Sequence, residues 1–514
     1  MGLAVIAGAL LLGACSSGED PEAADVTLPA LRSTTTTTAP DGPGAVEGRD
    51  EAPPPEWTVQ VGGAGDDLLK GLGDRDDLLV AVGSTDGSVS MPAADDGSGA
   101  TTTTAPTVPS SGTQALVVTV DSSGQLQAVR TAGADGDDVA NGATVVGEGL
   151  VGCGSTTGQL GSGFGGGTDL WCSLLGEGEP VLSGPVQFGG SDDEELTGVA
   201  GDDEGERAYT SGRTSGLLPG AQDPSGRGLG GGDAIALQLG DDANPVWARQ
   251  FGTPFEDGAL GVDVSPDGDG ILVGYTDGDL GRTSSGGRDA WITRFDPGGR
   301  QRWVTQFGST GSDVATAVTT AGQASRGTEQ FVVAGTTDGE LGASTEEDQG
   351  SGAGERPDRL APDEEPGGSG ELGGMSDAFA AAFGPDGTLA WTTTLGSEAE
   401  DRGAAVAADG ATVYVAGTTQ GELGDLLVDT GPGGGSDGFL AALDAASGEV
   451  LWVARFGSTG DEEVTGMTTT EDGLLVLSGT TTGQMATSAP GGGVDGFLIA
   501  FPLQAAGGGA ASSV

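Results

Sequence analysis

The sequence predicts an all-β protein in which one four-stranded unit occurs seven times and closes into a ring. Each unit ends in an aromatic strand, then Phe-Gly, then an acidic turn, as in WVTQFGSTGSD from Trp303. The seven copies begin at Trp57, Ala128, Pro185, Trp247, Trp303, Trp391 and Trp452. The strand-ending glycines are Gly62, Gly133, Gly189, Gly252, Gly308, Gly396 and Gly457. A repeat of this size sets the architecture before any other motif does, and it predicts a seven-bladed β-propeller of four-stranded antiparallel blades.

The four strands of a unit are clearest in the sixth copy. Strand-like runs cover 403–408, 412–418, 438–443 and 449–456, with apolar residues alternating between Gly, Asp and Pro punctuation. This alternation is the pattern of half-buried strands. The 102 glycines of the chain are too many for a helical protein and suit a β protein with many tight turns.

Two short motifs recur in fixed order within the copies. The D-[AG]-[FW] motif begins at Asp289, Asp377, Asp437 and Asp495. The G-x-T motif begins at Gly83, Gly335, Gly417 and Gly479. With these motifs the chain resembles the bacterial seven-bladed propeller repeat family (SBBP) from Trp57 to Leu503, apart from inserts at 91–112 and 343–374 and weak copies around 125–188. The resemblance implies the fold and leaves the activity open. A fainter resemblance to quinoprotein propellers rests on 444–452 and implies no cofactor residues.

The ends of the repeat region are out of phase with the unit. Trp57 opens the region with the last strand of a unit, and 495–503 closes it with a third strand. We therefore predict that the N-terminal strand completes the last blade and closes the ring, because propellers protect their sheet edges by radial repetition. An open solenoid is the alternative, but it would need polar caps.

Charge and residue content exclude several functions. The formal net charge is −58, the chain has no His, and Lys70 is its single lysine. A nucleic-acid partner is excluded because phosphate binding needs a basic face. Catalytic triads and metal sites that use His are excluded as well. The acidity indicates a solvated surface on an extracellular or salt-exposed protein.

The N-terminus carries an export signal. Residues 3–14 form an apolar stretch too short to span a bilayer, and Leu12-Gly13-Ala14-Cys15 resembles a bacterial lipobox. We predict a lipoprotein-type signal peptide at 1–14, lipidation of Cys15, and attachment to the extracytoplasmic face of the cell membrane. An ordinary signal peptide with an incidental Cys is the alternative. The Thr/Pro/acidic segment 15–52 is predicted to be a disordered tether, 53–503 the propeller with disordered inserts, and 504–514 a disordered tail.

Carboxylates recur where one unit passes into the next, so one face of the ring should be strongly negative. The candidate metal ligands are Asp66, Asp67, Asp137, Asp138, Asp192, Asp257, Asp313, Asp401 and Asp461. Hard cations bind several carboxylate oxygens, and Ca²⁺ is the candidate cofactor. The favoured alternative is that each Asp hydrogen-bonds its own turn, since no D-x-[DN]-x-[DN]-G loop occurs.

Cys153 and Cys172 are predicted to form a disulfide in the second blade. They are the thiols left once Cys15 carries the lipid, and exported proteins keep their disulfides. They fall on the second and third strands of one blade, where opposed residues lie close together. Two buried free thiols are the alternative.

The function predicted from these features is an extracellular binding or structural module with a protein, cell-wall or glycan ligand. The alternative is a propeller hydrolase or lyase that acts on extracellular polysaccharide. No catalytic residue can be named, because acidic pairs occur throughout the chain. The repeat-position Trp residues are predicted to lie in the core between blades instead of forming a sugar platform.

Overall fold

The computed structural model is built from β-strands, and the described residues contain no helix that could cross a membrane. It describes residues 52–503 apart from 64, 76–77, 88, 92–102, 105–111, 148, 162, 164, 177–180, 203–206, 224–229, 282–283, 285, 323–328, 340, 342–375, 430–433 and 487–492. The predicted signal peptide, the tether up to residue 51, Cys15, the insert at 343–374 and the tail at 504–514 therefore lie outside the described residues.

The strands are β1 (Trp57–Gly63), β2 (Asp67–Arg75), β3 (Leu78–Thr85), β4 (Val89–Met91), β5 (Thr103–Thr104), β6 (Gln114–Asp121), β7 (Leu126–Ala132), β8 (Asp138–Val146), β9 (Gly149–Thr156), β10 (Asp169–Leu175), β11 (Leu182–Phe188), β12 (Glu194–Gly201), β13 (Ala208–Thr214), β14 (Asp233–Leu239), β15 (Pro245–Phe251), β16 (Asp257–Val264), β17 (Gly270–Thr276), β18 (Asp289–Phe295), β19 (Gln301–Phe307), β20 (Asp313–Ala321), β21 (Gln330–Thr337), β22 (Asp377–Phe383), β23 (Leu389–Leu395), β24 (Asp401–Asp409), β25 (Thr412–Thr419), β26 (Asp425–Asp429), β27 (Asp437–Asp444), β28 (Val450–Gly457), β29 (Glu462–Thr469), β30 (Leu474–Thr481) and β31 (Asp495–Pro502).

Seven antiparallel four-stranded blades follow one another along the chain, which confirms the predicted fold. Blade 1 is β2-β3-β6-β7, blade 2 is β8-β9-β10-β11, blade 3 is β12-β13-β14-β15 and blade 4 is β16-β17-β18-β19. Blade 5 is β20-β21-β22-β23, blade 6 is β24-β25-β27-β28 and blade 7 is β29-β30-β31-β1. The first strand of each blade contacts the first strand of the next blade, and β29 contacts β2. These inner strands therefore surround the central channel.

The N-terminal strand closes the ring, as the phase of the repeats predicts. β1 pairs antiparallel with β31, and Trp57 lies opposite Ala500 while Val61 lies opposite Gly496. Gln60 adds a side-chain bond, because its Nε2 donates to Asp495 Oδ2 at 2.8 Å. The two ends of the domain are thus held in one sheet.

Two blades carry strands beyond the four of the unit. β4 pairs with β1, β5 pairs with β4, and β26 runs parallel to the outer strand β28. Met91 and Thr103–Thr104, which fall within the insert predicted to be disordered at 91–112, therefore lie in strands. Val89 is buried against the core that contains Val61, so the extension of the sheet buries apolar surface at an otherwise open edge.

Apolar side chains from neighbouring blades form the core. Each Trp that begins a copy of the repeat packs toward the next blade. Several of these Trp residues donate a hydrogen bond to a backbone carbonyl in the hairpin turn that joins the two outer strands of that next blade. Trp303 Nε1 donates to Pro385 O at 3.0 Å, and Trp391 Nε1 donates to Ala445 O at 3.0 Å. Trp57 and Trp247 donate in the same way to Ser122 O and Pro297 O. The Trp residues therefore join blades, which confirms their predicted place in the core.

Cys153 in β9 lies directly opposite Cys172 in β10, and the structure joins their sulfur atoms. Both residues are fully buried in the core between blades 2 and 3. Blade 2 thus has a covalent link between its middle strands.

Candidate ligand-binding site at the mouth of the channel

The buried carboxylates at the start of the inner strands hold the connections between blades. They are Asp67, Asp138, Glu194, Asp257, Asp313, Asp401 and Glu462, and all are 0% exposed. Asp313 is typical: its Oδ2 accepts from Ser309 N at 2.6 Å, and its Oδ1 accepts from Thr337 Oγ1 at 2.5 Å. Burial raises the pKa of Asp313. Asp138, Glu194 and Glu462 fix their own turns to the second strand of their blades in the same way.

The acidic residue before the inner strand clamps a loop of the preceding blade in four places. Asp66 Oδ1 accepts from Val494 N at 3.0 Å, and Asp137 Oδ1 accepts from Thr113 N at 2.9 Å. Asp193 and Asp461 bind Thr168 N and Gly435 N in the same way. The loops between blades therefore share a face with the loops between second and third strands, here called the loop face. This confirms the predicted acidic face.

The predicted metal ligands thus all lie on the loop face, and most of them bind their own turns or an adjacent loop. In blade 3 the equivalent residues are Asp193 and Glu194, one position later than the predicted Asp192, whose carboxylate accepts from Ser191 Oγ. Within the described ranges no group of three or more His, Cys, Asp and Glu side chains is arranged to hold a metal ion. Ca²⁺ binding stays a prediction.

A cavity of about 670 Å³ opens on the loop face where blades 1 to 4 meet. Its lining includes Lys70, Asn141, Ser155, Glu195, Arg213 and Glu256. This volume lies in the range of small-molecule sites, roughly 300–1,000 Å³. The lining of the cavity combines both signs of charge.

Lys70 enters the cavity from a β-bulge that recurs in every inner strand. The bulged residues are Lys70, Asn141, Thr197, Leu260, Thr316, Ala404 and Thr465. A bulge leaves a residue unpaired and re-aims its side chain. Thr465 Oγ1 donates to Leu69 O at 2.7 Å, and Thr197 Oγ1 donates to Ala259 O at 2.9 Å. The bulge position therefore normally joins inner strands, and in blade 1 it carries an ammonium group instead.

Arg213 forms the wall of the cavity in blade 3. Its Nη2 lies 2.7 Å from Glu195 Oε2, and both side chains are about half exposed, at 49% and 47%. Burial lowers the pKa of Arg213, but Glu195 and Tyr275 outweigh it and raise the pKa overall. Arg288 stacks on Tyr275, with its Cζ 3.9 Å from the ring centroid. Arg213 and Tyr275 occupy the middle of the G-x-T motif, where the other blades have Ser or Thr.

The interpretation of the sequence missed this cluster because residues 70, 213 and 256 lie far apart in the chain. The signal is nevertheless present in the repeats. When the seven copies are aligned, Lys70 is the charged residue at a bulge position that is otherwise uncharged, and Arg213 and Tyr275 replace the Ser or Thr of the G-x-T motif. The unrepeated residues, not the repeated acidic ones, mark the candidate site.

The fold defines the protein as a seven-bladed β-propeller with a mixed-charge cavity on its loop face. No protein-family model matches the chain, and no curated protein sequence matches it. Among solved structures it is similar to the acylaminoacyl peptidase of Pyrococcus horikoshii, at 10% identity and a TM-score of 0.38, over 86% of this chain and 53% of that chain. It is also similar to the quinohemoprotein alcohol dehydrogenase of Comamonas testosteroni, at 11% identity and a TM-score of 0.36, over 75% of this chain and 65% of that chain. Hydrazine synthase of Kuenenia stuttgartiensis is similar at 11% identity and a TM-score of 0.39, over 84% of this chain and 96% of that chain. The chain thus spans about half the length of the peptidase.

Proposed function

We propose that this chain is an exported, lipid-anchored propeller that works as an extracellular binding module and takes a small polar ligand in the loop-face cavity. The observation that carries the proposal is the break in the repeat. Charged side chains replace uncharged ones at the bulge of blade 1 and in the G-x-T motif of blade 3, and both line one cavity. Architecture alone needs no such change, because the other blades form the same strands without it.

The chemistry of the cavity favours binding over hydrolysis. Glu194 accepts from Gly190 N at 2.7 Å and from Thr214 Oγ1 at 2.8 Å, so it holds the fold. Glu195 Oε2 is held by Arg213 Nη2 at 2.7 Å, so this carboxylate serves the wall of the cavity. A hydrolase or lyase acting on extracellular polysaccharide remains the second candidate, with Glu195 and Glu256 as its available carboxylates.

One screen tests both candidates. The full chain is mixed with a panel of amino acids, short peptides, organic acids and cell-wall or plant oligosaccharides, and bound compounds are detected by ligand-observed NMR. Each supernatant is then analysed by mass spectrometry for cleavage products. Binding without conversion supports the module, whereas conversion of a saccharide supports the enzyme and overturns our proposal.

Matched variants assign any binding to the cavity. Lys70→Thr and Arg213→Thr restore the residue that other copies carry at these positions, so both should fold. Arg300→Thr removes a positive charge from an exposed hairpin turn outside the cavity lining. We expect the two cavity variants to bind the ligand at least ten-fold more weakly than the wild type and Arg300→Thr to bind it equally well. Equal binding by all three variants would place the site elsewhere.

The export part of the proposal rests on the lipobox-like Leu12 to Cys15 and the acidic, Thr-rich segment that follows. More than one acyl chain gives stable anchoring, whereas a single chain is marginal. Cys15→Ser should release the protein from the membrane fraction of expressing cells, while Ser16→Ala should leave it there. If Cys15→Ser is retained as well as the wild type, the anchor is not at Cys15.

A further inference from the structure

We infer that the ligand of the loop-face cavity is a zwitterion of the amino-acid or short-peptide class, with its carboxylate at Lys70 and its ammonium group at Glu256. The inference rests on the proposed binding function and names the ligand class of that same site. It is carried by two opposite charges on different blades of one cavity.

Lys70 supplies the positive end. Its side chain is half-buried and lines the cavity from blade 1. Among the described residues no side chain forms an ion pair or hydrogen bond with its ammonium group. Taking a charge out of water without a partner is costly, and an ammonium with three donors binds a carboxylate readily. A ligand carboxylate would provide the missing partner.

Glu256 supplies the negative end from the loop that leads into blade 4. A Cβ built on Gly231 would come within 3.0 Å of Glu256 Oε1, and one built on Gly232 within 2.7 Å of Oε2. The carboxylate therefore lies against two glycines that themselves line the cavity. Arg288 attracts this carboxylate electrostatically, but no side chain forms a hydrogen bond or ion pair with it in the part of the chain that the structure describes. A ligand ammonium group can approach it closely over bare backbone.

The other polar groups of the wall already have partners. Arg213 is paired with Glu195, Asn141 Nδ2 donates to Leu196 O, and Ser155 Oγ accepts from Leu196 N at 3.0 Å. These bonds fix the wall, so that the two unpaired charges keep their positions. Asp193, which also lines the cavity, accepts from Thr168 N at 2.9 Å, so Lys70 and Glu256 are the lining charges that have no side-chain hydrogen bond or ion pair within the described residues.

The charge of the whole protein selects against ligands with a single charge. A formal net charge of −58 repels a simple anion before it reaches Lys70. A simple cation is attracted to the whole acidic face and gains nothing from Lys70. A zwitterion has no net charge, so the protein field costs it little, and it satisfies both ends of the cavity. The volume of about 670 Å³ leaves room for a peptide of a few residues.

The test is a set of calorimetric titrations of the full chain with alanine and with four forms of trialanine. These forms have free termini, an acetylated N-terminus, an amidated C-terminus, or both blocks. We expect the free-terminus peptide to bind at least ten-fold more tightly than any blocked form. Binding of the doubly blocked form at equal affinity would overturn the inference and leave the binding module standing.

Two variants make the assignment of each end specific. Lys70→Thr should abolish the effect of C-terminal amidation and keep that of N-terminal acetylation. Glu256→Gln should abolish the effect of acetylation and keep that of amidation, and Arg300→Thr should keep both. Failure of alanine and free trialanine to bind also overturns the inference. If the broader screen then finds a neutral ligand, the proposed function survives, and if it finds none, both fail.

Discussion

Asp233 of blade 3 and Asp257 of blade 4 lie next to each other at the junction of the two blades, and both lie against Gly252, which directly follows strand β15. A Cβ on Gly252 would lie 2.5 Å from Asp233 Oδ1 and 2.9 Å from Asp257 Oδ2. Gly308 lies against Asp289 and Asp313 in the same way, and Gly457 against Asp437 and Glu462. At these three junctions, and at Gly189, a glycine is needed because two carboxylates from adjacent blades occupy the space of its side chain.

These junctions predict that the fold is more stable in mild acid than at neutral pH. Burial, together with a smaller contribution from the neighbouring Asp257, raises the pKa of Asp233 to about 6. Burial likewise raises the pKa of Asp67 to about 6. Because the folded pKa exceeds the unfolded value of about 3.9, the stabilisation is complete below that value and is lost as the pH rises to about 6. Thermal melts between pH 4.5 and 8 at constant ionic strength should show a falling midpoint.

Asp233→Asn isolates one junction. An asparagine carbonyl can still accept from Gln250 Nε2, which lies 2.9 Å from Asp233 Oδ2. The variant should be stabilised at pH 8 by roughly 1–3 kcal/mol, since one pKa unit corresponds to about 1.4 kcal/mol. Asp472→Asn, in an exposed turn, should change nothing. A loss of stability at pH 8 in the first variant would contradict the prediction.

Ring closure predicts that deleting 53–62 destabilises the whole domain. The deletion removes most of β1, which pairs with β31 and contributes buried Val61 to the core. We expect a loss of roughly 3 kcal/mol or more, because burial of one such side chain contributes about 1.5–3 kcal/mol. Urea unfolding should remain one transition at lower urea, while deletion of 504–514 should leave it unchanged. A separate early transition would show that blade 7 unfolds alone.

The contact between Trp391 and Gly448 predicts a severe effect of one methyl group. Gly448 has φ +71°, and a Cβ there would lie 2.4 Å from Trp391 Cε3. Gly410 has φ +58° and open space around its Cα, so Gly410→Ala reports the backbone cost alone, about 1–2 kcal/mol. Gly448→Ala should cost roughly 1–3 kcal/mol more through overpacking. Equal midpoints in urea for the two variants would show that the contact with Trp391 contributes little.

The Cys153–Cys172 link predicts a stability that depends on reductant. The bridge spans a sequence separation of 19, and closing such a loop is worth roughly 3 kcal/mol in the chain-entropy model. Reduction should lower the melting temperature of the wild type and leave the double variant Cys153→Ala/Cys172→Ala unchanged. Intact mass after alkylation provides the second measurement. Two alkylated thiols without prior reduction would mean that the bridge does not form in the protein.

Ca²⁺ binding to the acidic loop face predicts a higher melting temperature in millimolar Ca²⁺. A cation at ten times its Kd stabilises by about 1.4 kcal/mol per site. The melts are run at low ionic strength against NaCl of matched ionic strength, because screening alone also relieves repulsion between carboxylates. Identical melting temperatures in Ca²⁺ and in NaCl of matched ionic strength would contradict the prediction.

The fold could be predicted because its determinants repeat. Each copy carries an alternating strand pattern and a junction glycine, so that weak signals such as those from Ala128 and Pro185 gain support from stronger copies. The additional strands β4 and β26 were not predicted, since they occur once each and pair only through the tertiary fold. Local sequence contains no information on such pairing.

The candidate site could not be predicted from the acidic pattern. The repeated carboxylates serve the junctions, as Asp313 does for Ser309 and Thr337. Lys70 and Glu256 come together only because the ring places blades 1 and 4 around one cavity. Residues this far apart in the chain leave no periodic signal in the sequence. Only a comparison between the copies, or a structure, therefore reveals the cavity that they line.

The pairing of β1 with β31 also sets the face of the propeller at which the preceding chain joins the ring. β1 ends at Gly63, beside the loop face, and begins at Trp57, whose Nε1 donates to Ser122 O in a hairpin turn on the opposite face. The chain before Trp57 therefore enters the propeller from the side away from the cavity. A ligand therefore reaches the cavity from the face opposite to the one at which the preceding chain joins the ring.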